Sequence, residues 1–377
     1  MKVLIIIPGF PINTENIKGG VASALTNLLQ GFINKQIEIR VISFNREIAE
    51  KLIIHYSENI DIYYIPESKL PHFFNFIIKG STEIKKQIRE FNPDLVHYAM
   101  SGYILLTKIF GLLHTAHLAT MHGVPFLEAR QNKNIKEKFV FYTNGAVELL
   151  LSPRNVIHIS RYSQAFYGNK NKRISIIPNA INPSYYKLPI KNKTDNKLLY
   201  VGSIDTNKNI LFLLKVLKIL IEKQLLFSLD VLGGFADEAY EQEVVTSIKK
   251  NNLEEHVKLY GWITQQKLQE VLSQSDILIV SSKQETLPMV IAEAMSAGKV
   301  VICSTVGGIP EMVTHGKDGF LFNISATENI IPILEQLYNN NTLVQQIQTS
   351  ARERAIETYH SDKIAQKTIS FYKLLLK

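Results

Sequence analysis

The sequence predicts an α/β protein made of two doubly wound domains, each a parallel sheet with helices on both faces. Short apolar runs that suit buried strands alternate with stretches of helical period along the whole chain. The alternation starts again near Ile190, after which comes a polar run, Lys191–Asn196. At 377 residues the chain is long for one hydrophobic core and of ordinary length for two.

The first half contains seven apolar runs with the length and composition of buried strands. The opening run Met1–Pro8 superficially resembles a signal peptide, but it ends at Pro8–Gly9 with no cleavage site, which favours a first strand. The predicted strands are Val3–Ile7, Glu38–Ser43, Ile60–Ile65, Leu95–Tyr98, Leu118–Met121, Val156–Ile159 and Ile174–Ile177, and the predicted helices include Val21–Ile33, Ile77–Phe91 and Ile104–His114.

The second half repeats the pattern with six strands. They are predicted at Lys197–Val201, Ser228–Leu232, Val257–Tyr260, Ile277–Val280, Val300–Cys303 and Asp318–Leu321, with helices between them and two or three more from Thr327 to Leu376. We therefore predict a first domain over residues 1–190, a second over 191–358, and a closing helix over 359–377.

The densest set of functional signals lies in the stretch Ser275–Glu311. A buried strand leads into a loop that carries Glu285, and a helix follows whose body carries Glu293. Pro288 suits the first turn of that helix, because its missing N–H has no partner there in any case. The carboxyl edge of an open parallel sheet is where ligands bind. Glu293 suits a bidentate hydrogen bond to ribose hydroxyls, and Glu285 is placed to reach a sugar hydroxyl.

Three further positions follow predicted strands. Lys208 lies at a helix start, where its ammonium and the helix N-terminus suit a diphosphate. Gly19–Gly20 either admits a phosphate or sugar to backbone N–H groups or simply begins a helix. His122 suits a sugar hydroxyl or acid–base chemistry, or it caps a strand end.

Composition excludes several classes. Cys303 is the only cysteine, so no intramolecular disulfide forms and a cytoplasmic location is favoured. No run reaches the roughly 18 apolar residues of a spanning helix. The sequence has no metal-ligand cluster and no dinucleotide glycine fingerprint, which disfavours a nicotinamide-dependent oxidoreductase.

The net charge of +8 is unevenly distributed. Residues 1–190 contain 22 Lys and Arg against 13 Asp and Glu, and residues 191–377 contain 20 against 21. The basic half indicates contact with an anionic membrane surface or acceptor, or else a solvated face. Nucleic acid binding is disfavoured because no basic helix or stacking motif accompanies the charge.

An aromatic and basic stretch at 69–79 suits a membrane interface or an acceptor groove, or packing of a helix start.

The pair Glu285 and Glu293 resembles the E-x7-E motif of the retaining group-1 glycosyltransferases, family GT4. Other family marks occur in the same order over nearly the whole chain: Gly19–Gly20, His122–Gly123, Ser160, Pro178–Ile181, Gly202 with Lys208, Ala297–Val301, Gly307–Glu311 and Asp318–Gly319.

The resemblance implies the GT-B fold, in which two Rossmann-like doubly wound domains face each other across a cleft and the final helix crosses back to the first domain. It implies transfer of a sugar from a UDP- or GDP-linked donor with retention of configuration, without a metal or a further cofactor. The expected acceptor is a glycolipid or polysaccharide precursor in surface glycan synthesis, and the expected location is the cytoplasm or the inner membrane face.

Carried over by position, the resemblance assigns Glu293 to the ribose, Lys208 to the diphosphate, Glu285 to the donor sugar and His122 to the reacting face of that sugar. The expected catalytic residues are His122, Glu285 and Lys208, and the expected donor-binding residues are Gly19, Gly20, Gly202, Ser203, Lys208, Glu285, Thr286, Leu287, Pro288, Met289, Val290 and Glu293.

Two departures from the family pattern keep other functions open. Ser203 stands where the family usually has an arginine that also binds the diphosphate, and Thr286 stands where glycine is common. A phosphorylase or a sugar-phosphate-accepting transferase would share the fold. A non-catalytic partner that binds nucleotide sugars would share it too.

Overall fold

The computed structural model describes residues 1–13, 17, 19–67, 80–99, 116–124, 126–127, 138, 142, 145–146, 154–167, 173–191 and 194–377. The predicted helix 104–114 and the stretch 69–79 lie outside the described residues. The chain forms two compact units, the first from Met1–Ala180 and Ser361–Lys377 and the second from Ile181–His360.

The first unit contains an eight-stranded sheet. Its strands are β1 (Lys2–Pro8), β2 (Glu38–Asn45), β3 (Leu52–Ser57), β4 (Ile60–Pro66), β5 (Leu95–Tyr98), β6 (Ala116–Met121), β7 (Asn155–His158) and β8 (Arg173–Ile176). They are arranged in the order β3-β4-β2-β1-β5-β6-β7-β8. All neighbours are parallel except β3, which runs antiparallel to β4. The strand order reverses at β1, as in a doubly wound sheet.

The second unit contains a six-stranded parallel sheet. Its strands are β9 (Lys197–Val201), β10 (Ser228–Leu232), β11 (Val257–Gly261), β12 (Ile277–Val280), β13 (Val300–Ser304) and β14 (Phe320–Phe322). They lie in the order β11-β10-β9-β12-β13-β14, so the order reverses at β9, between β10 and β12. The predicted fold class of two doubly wound α/β domains is therefore confirmed.

Helices connect the strands and cover the faces of each sheet. In chain order they are α1 (Gly20–Phe32), α2 (Ser81–Phe91), α3 (Arg161–Tyr167), α4 (Ile210–Glu222), α5 (Glu238–Lys250), α6 (Gln265–Gln274), α7 (Met289–Ser296), α8 (Ile309–Met312), α9 (Ile331–Asn339), α10 (Asn341–Tyr359) and α11 (Ser361–Leu375). None of the helices in the described ranges has both the length and the apolar character needed to cross a bilayer.

The apolar strands bury their side chains on both faces, as their sequences predict. In the second unit, Ile277 and Ile279 belong to one core cluster, while Leu278 and Val280 belong to another on the opposite face of β12. This arrangement follows from the period of two in a strand. It holds β12 rigidly between β9 and β13 and fixes the position from which the loop after β12 begins.

The division between the units falls at Ala180–Ile181, ten residues before the predicted boundary at Ile190. Ile181 and Tyr185 are fully buried in the core of the second unit, which is why the boundary lies earlier. Tyr185 belongs to a 3-10 helix, Pro183–Lys187, whose first turn is capped by the Asn182 side chain. The residues between 181 and the predicted boundary at Ile190 therefore do not form a linker, because they contribute to the core of the second unit.

Residues 361–377 pack within the first unit. A Cβ atom at Gly31 of α1 would lie 2.3 Å from the carbonyl oxygen of Ser361, so only glycine permits α11 to approach so closely. The Tyr372 hydroxyl lies 2.6 Å from Nδ1 of His97, whose Nε2 lies 2.7 Å from the Thr120 hydroxyl. These contacts join α11 to β5 and β6.

Candidate functional site

The candidate site of the second unit lies where the strand order reverses. The loop after β9 contains Gly202, Ser203 and Lys208, and the loop after β12 contains Glu285. A backbone hydrogen bond fixes the start of the loop after β9, because the N–H of Gly202 donates to the carbonyl of Leu232 in β10 at 2.9 Å. Both loops emerge at the carboxyl edge of the sheet, where doubly wound folds bind ligands.

Lys208 and Glu285 form a direct ion pair between these two loops. The Nζ atom of Lys208 lies 2.5 Å from Oε1 of Glu285, and the Ser282 hydroxyl donates to the same oxygen at 2.7 Å. The side chain of Glu285 is 11% exposed and that of Lys208 is 27% exposed. The pair is therefore partly withdrawn from water, where charge-assisted hydrogen bonds are strong. The sequence predicted both residues for the site but did not predict their contact.

Asp205 organises the loop that carries Lys208. Its Oδ1 atom accepts hydrogen bonds from the backbone N–H groups of Asn207 and Lys208, both at 2.8 Å. Its Oδ2 atom accepts from the Ser203 hydroxyl at 2.8 Å. Ser203, which stands where the family pattern usually has an arginine, therefore forms a hydrogen bond that shapes this loop. Side chain to backbone hydrogen bonds of this kind are typical of Asp in turns.

Hydrogen bonds to backbone carbonyls also join the two loops. The N–H of Lys283 donates to the carbonyl of Asn207 at 2.8 Å, and the Ser281 hydroxyl donates to the carbonyl of Lys208 at 2.9 Å. The Asn207 amide donates to the carbonyl of Gln284 at 3.2 Å. Because one of these bonds joins the two main chains and the other two end on main-chain carbonyls, the position of Lys208 against Glu285 is set by the loops and not only by the ion pair.

The turn after β13 supports Glu285 from the other side. The N–H of Gly308 donates to the Glu285 carbonyl at 3.1 Å. Gly307 has a φ of 55°, and a Cβ atom there would lie 1.7 Å from the Glu285 carbonyl oxygen. Both the conformation and the close approach require glycine at this position. Two neighbouring loops therefore fix the backbone of Glu285.

Glu293 lies on the body of α7 and is 9% exposed. Burial raises the pKa of its carboxyl to about 7, and no hydrogen bond or opposing charge offsets this effect among the described residues. Tyr185 lies nearby: burial, followed by the charge of Glu293, raises the pKa of its hydroxyl. A buried carboxyl without a partner is costly, and donors from a ligand would stabilise its charged form.

The segment between the two carboxylates contains Thr286, Leu287, Pro288, Met289 and Val290, all partly exposed. Helix α7 begins at Met289, with Pro288 as its N-cap residue in an extended conformation. The helix therefore starts one residue later than predicted. Proline at this place leaves no orphan N–H group of its own at the helix start.

The single cysteine, Cys303, lies in β13 and is fully buried. Burial, followed by the negative charge of Glu285, raises the pKa of its thiol well above the ordinary value. A thiol in that environment stays protonated and is a poor nucleophile. Cys303 therefore serves the core of the second unit and supplies no chemistry to the site.

The first unit contains the other predicted residues. His122 follows β6, and burial lowers its pKa to about 4, opposed by a hydrogen bond with Asn179. Its Nδ1 atom is buried with no hydrogen-bond partner in the described part of the chain. His122 lines a cavity of about 40 Å³ together with His97 and Thr120. The imidazole is therefore neutral at pH 7, and its Nδ1 atom is a buried polar group beside this cavity.

Gly19 and Gly20 lie at the start of α1 and are exposed. Gly19 is the N-cap residue, with a φ of 93° and no neighbouring atom within 4 Å of a Cβ placed there. The N-cap residue makes no side-chain hydrogen bond to this helix start, which fits the predicted approach of a ligand. The glycines also fit a simple helix start, so their predicted role in binding stays a prediction.

Sequence reasoning missed Asp205, Ser282 and Asn207, which hold the Lys208–Glu285 pair in place. An Asp two residues before Asn207 in a polar loop is the usual signal of a turn closed by a side chain. Ser282 offered no such signal, because its hydrogen bond to Glu285 depends on the conformation of the loop, which sequence spacing does not specify.

Comparison with known proteins identifies the class. Residues 187–354 match the family model described as "Glycosyl transferases group 1", and residues 18–185 match that described as "Glycosyltransferase Family 4". Together the two matches span nearly the whole chain. The chain therefore belongs to the group-1 glycosyltransferases.

Curated relatives agree with this assignment. An uncharacterized glycosyltransferase of Methanocaldococcus jannaschii is 20% identical and aligns over 100% of this chain and 99% of its own. The amylovoran biosynthesis glycosyltransferase AmsK of Erwinia amylovora is 24% identical over 73% of this chain and 68% of its own. The lipopolysaccharide 1,2-N-acetylglucosaminetransferase of Salmonella typhimurium is 27% identical over 63% of this chain and 67% of its own.

Solved structures confirm the GT-B fold. Sucrose-phosphate synthase from Thermosynechococcus elongatus superposes with a TM-score of 0.80 at 18% identity, covering 99% of this chain and 98% of that one. Anabaena Alr3699/HepE, crystallised in complex with UDP, superposes with a TM-score of 0.75 at 16% identity, covering 99% and 100%. At these identities the likeness concerns the fold.

Proposed function

We propose that this glycosyltransferase moves a sugar from a UDP- or GDP-linked donor to a glycolipid or polysaccharide precursor, with retention of anomeric configuration and without a metal. The observation that carries the proposal is the ion pair of Lys208 with Glu285 at the point where the strand order of the second sheet reverses. This edge offers a cation, two carboxyl groups and the N-terminus of α4 to one ligand.

Each residue has a proposed role. Glu293 accepts hydrogen bonds from the ribose hydroxyls, Lys208 holds the diphosphate, and Glu285 with the segment Thr286–Val290 contacts the donor sugar. The assignment is supported by the buried and unpartnered carboxyl of Glu293 and by the resemblance of the spacing to the E-x7-E motif. His122 of the first unit is proposed to contact the donor sugar near its reacting carbon.

In the proposed reaction the bond between the anomeric carbon and the phosphate oxygen breaks, and the diphosphate leaves with the electron pair. A bond forms between the same carbon and the acceptor hydroxyl oxygen, whose proton is released. The diphosphate gains negative charge as the bond breaks, and Lys208 with the start of α4 would stabilise it electrostatically. Activity should then survive EDTA, and strict dependence on a divalent cation would refute this part.

The acceptor proposal draws on the relatives and on charge. Two relatives are named for amylovoran and lipopolysaccharide synthesis, and a variant of TarM from S. aureus, a fold neighbour, was crystallised in complex with fondaparinux, α-GlcNAc-glycerol and UDP. Residues 1–190 carry a net charge of +9 by their Lys, Arg, Asp and Glu content. A cationic first unit suits an anionic acceptor or an anionic membrane surface beside it.

The direct test is donor turnover with a panel of UDP- and GDP-sugars, followed by NMR assignment of the anomeric configuration of the product. We expect one donor to be hydrolysed slowly and transferred faster when an acceptor is present, with its configuration retained. Folded protein that neither binds nor turns over any nucleotide sugar would refute the proposal. Release of a glycosyl phosphate in phosphate buffer would indicate a phosphorylase, and binding without turnover would indicate a non-catalytic partner.

A further inference from the structure

The first unit has an open groove at the β8 edge of its sheet. Strand β8 is the last strand on one side of the eight-stranded sheet, and helix α11 lies beside it. The groove between them has a volume of about 680 Å³ and is lined by Ser175–Ile177 and by residues of α11 that include Lys363, Lys367 and Leu374. Of the residues that line it, Ile177 also lines the cavity beside His122, and none is among the predicted site residues.

The walls of this groove expose large apolar side chains. Ile176 is 38% exposed and Leu374 is 49% exposed, while Leu376, just beyond the end of α11, is 41% exposed. Single exposed apolar residues need no explanation, but here two of them line one groove and the third follows on the same segment. Apolar groups grouped in this way suit an environment less polar than water.

The segment that forms one wall of the groove is strongly basic, and two of its lysines, Lys363 and Lys367, line the groove. Residues 361–377 contain four lysines, Lys363, Lys367, Lys373 and Lys377, and one acidic residue, Asp362. Asp362 forms an ion pair with Lys35 of α1 at 3.1 Å and does not line the groove. All four lysines are exposed, and no acidic side chain is among the residues that line the groove. The groove therefore has a positive rim around an apolar floor.

The face is held in place by the fold of the first unit. Three side chains of α11 that do not line the groove, Ile364, Ala365 and Tyr372, are buried in the core of the unit. The Arg173 guanidinium at the start of β8 donates to the carbonyl oxygen of Leu374, which joins the strand to the end of the helix. The lysines and Leu374 are thus presented on a rigid element.

We infer that the groove between β8 and α11 docks the first unit onto the surface of an anionic phospholipid bilayer. Lysine ammonium groups would meet the lipid phosphates, and Ile176, Leu374 and Leu376 would enter the interfacial layer. The inference deepens the membrane contact proposed above by assigning it to a defined face. Its test measures vesicle binding alone and so does not depend on glycosyl transfer.

The experiment is co-sedimentation of the full chain with vesicles of phosphatidylcholine alone and with vesicles of equal parts phosphatidylglycerol and phosphatidylcholine. We expect binding to the anionic vesicles only, weakening as salt is raised because charge attraction is screened. Equal binding to both vesicles, or no binding to either, would overturn the inference.

Matched variants locate the surface. The double variant Lys363→Gln with Lys367→Gln should bind anionic vesicles about tenfold more weakly, since each lysine near such a surface contributes measurably. The control Lys249→Gln with Lys250→Gln removes the same charge from exposed positions at the end of α5 in the second unit. Equal loss in both double variants would overturn the assignment to this face.

A third variant tests the apolar part. Leu374→Ser keeps every charge and should lower binding to anionic vesicles severalfold while the thermal midpoint of the protein stays close to that of the unmodified chain. Because Leu374 is half exposed, the substitution removes little from the core. Binding unchanged by Leu374→Ser would exclude insertion of this face, and donor turnover measured without lipid should be unaffected in all three variants.

Discussion

The Nζ atom of Lys208 lies 2.5 Å from Oε1 of Glu285, although 77 positions separate the two residues in the sequence. The contact joins the loop after β9 to the loop after β12, and these strands are neighbours only because the strand order reverses there. One cation and one carboxylate are thus available to the same ligand, and binding of a diphosphate to Lys208 would alter the environment of Glu285.

The first prediction concerns the ammonium group of Lys208. We expect Lys208→Met to weaken the binding of UDP or GDP by roughly tenfold to a hundredfold, because a charge-assisted hydrogen bond contributes about 1.5–3 kcal/mol. Isothermal titration calorimetry measures this directly. Lys215→Met is the control, since Lys215 is an exposed lysine of α4 with no place in the site. Equal nucleotide affinity in Lys208→Met and the unmodified protein would refute the assigned role.

The second prediction concerns the pH dependence of stability at Glu293. Its pKa is raised from 4.5 to about 7 in the folded protein, so the folded state binds more protons between these values than the unfolded state. Ionisation of Glu293 therefore does not destabilise the folded protein below pH 4.5. The loss of folding free energy grows as the pH rises and reaches about 3 kcal/mol at pH 7. Glu293→Gln should raise the thermal midpoint of the ligand-free protein at pH 8 and change it little at pH 5.

The measurement is a set of thermal melts of both proteins across this range. A difference between them that is the same at pH 5 and pH 8 would show that Glu293 does not titrate as described. The same variant should also weaken nucleotide binding at pH 8, since a neutral amide replaces the carboxylate that we propose accepts hydrogen bonds from the ribose hydroxyls.

The third prediction concerns Gly307. A Cβ atom at this position would lie 1.7 Å from the Glu285 carbonyl oxygen, and the φ of 55° disfavours a side chain. We expect Gly307→Ala to cost about 2 kcal/mol or more and to displace Glu285, which lowers donor turnover. Circular dichroism melts and turnover assays measure the two effects.

Gly316→Ala separates strain from steric overlap. Gly316 has a φ of 76°, but no atom lies within 4 Å of a Cβ atom placed there. The control should therefore show only the cost of the backbone conformation and keep its turnover. If both variants lose turnover to the same degree, the turn at Gly307 has no special relation to Glu285.

The fourth prediction concerns the hydroxyl of Tyr372. Tyr372→Phe removes the 2.6 Å hydrogen bond to His97 and leaves a buried imidazole nitrogen without its partner. Burial, with a smaller effect of His122, already lowers the pKa of His97 to about 3, so protonation cannot compensate. We expect a loss of about 1–3 kcal/mol and faster proteolysis within residues 361–377.

Tyr64→Phe is the matched control. It removes another tyrosine hydrogen bond of the first unit, the one donated to the Pro11 carbonyl at 2.8 Å. Both variants should be less stable, but only Tyr372→Phe should loosen α11. Cleavage of residues 361–377 at the same rate in both variants would contradict the role of the His97–Tyr372 contact.

Much of the fold was accessible from the sequence because buried parallel strands read as apolar runs. All thirteen predicted strands are present, whereas β3 was not predicted. Its exposed residues Leu52 and Ile53 give β3 neither an alternating pattern nor a buried run. The strand exists because it pairs with β4, and cross-strand pairing is invisible in local sequence.

The candidate site was predictable in its members and not in its connections. Glu285, Glu293 and Lys208 were found from spacing and from the ends of strands. The contact between Lys208 and Glu285 depends on which strands are neighbours, and the support from Gly307 depends on the distance between two turns. The boundary near Ile190 missed Tyr185 for a related reason, because burial of a short 3-10 helix leaves little periodicity.

The first unit is assembled from two separate pieces of chain, and this sets an order for synthesis on the ribosome. Residues 181–360 form a continuous unit that can complete its core as it emerges. Residues 1–180 cannot complete their core at once, because His97 and Gly31 pack against Tyr372 and Ser361, which are synthesised last. The part made first is therefore finished last, and until then the surface of α1 and β5 that α11 covers stays open to chaperones or to a neighbouring nascent chain.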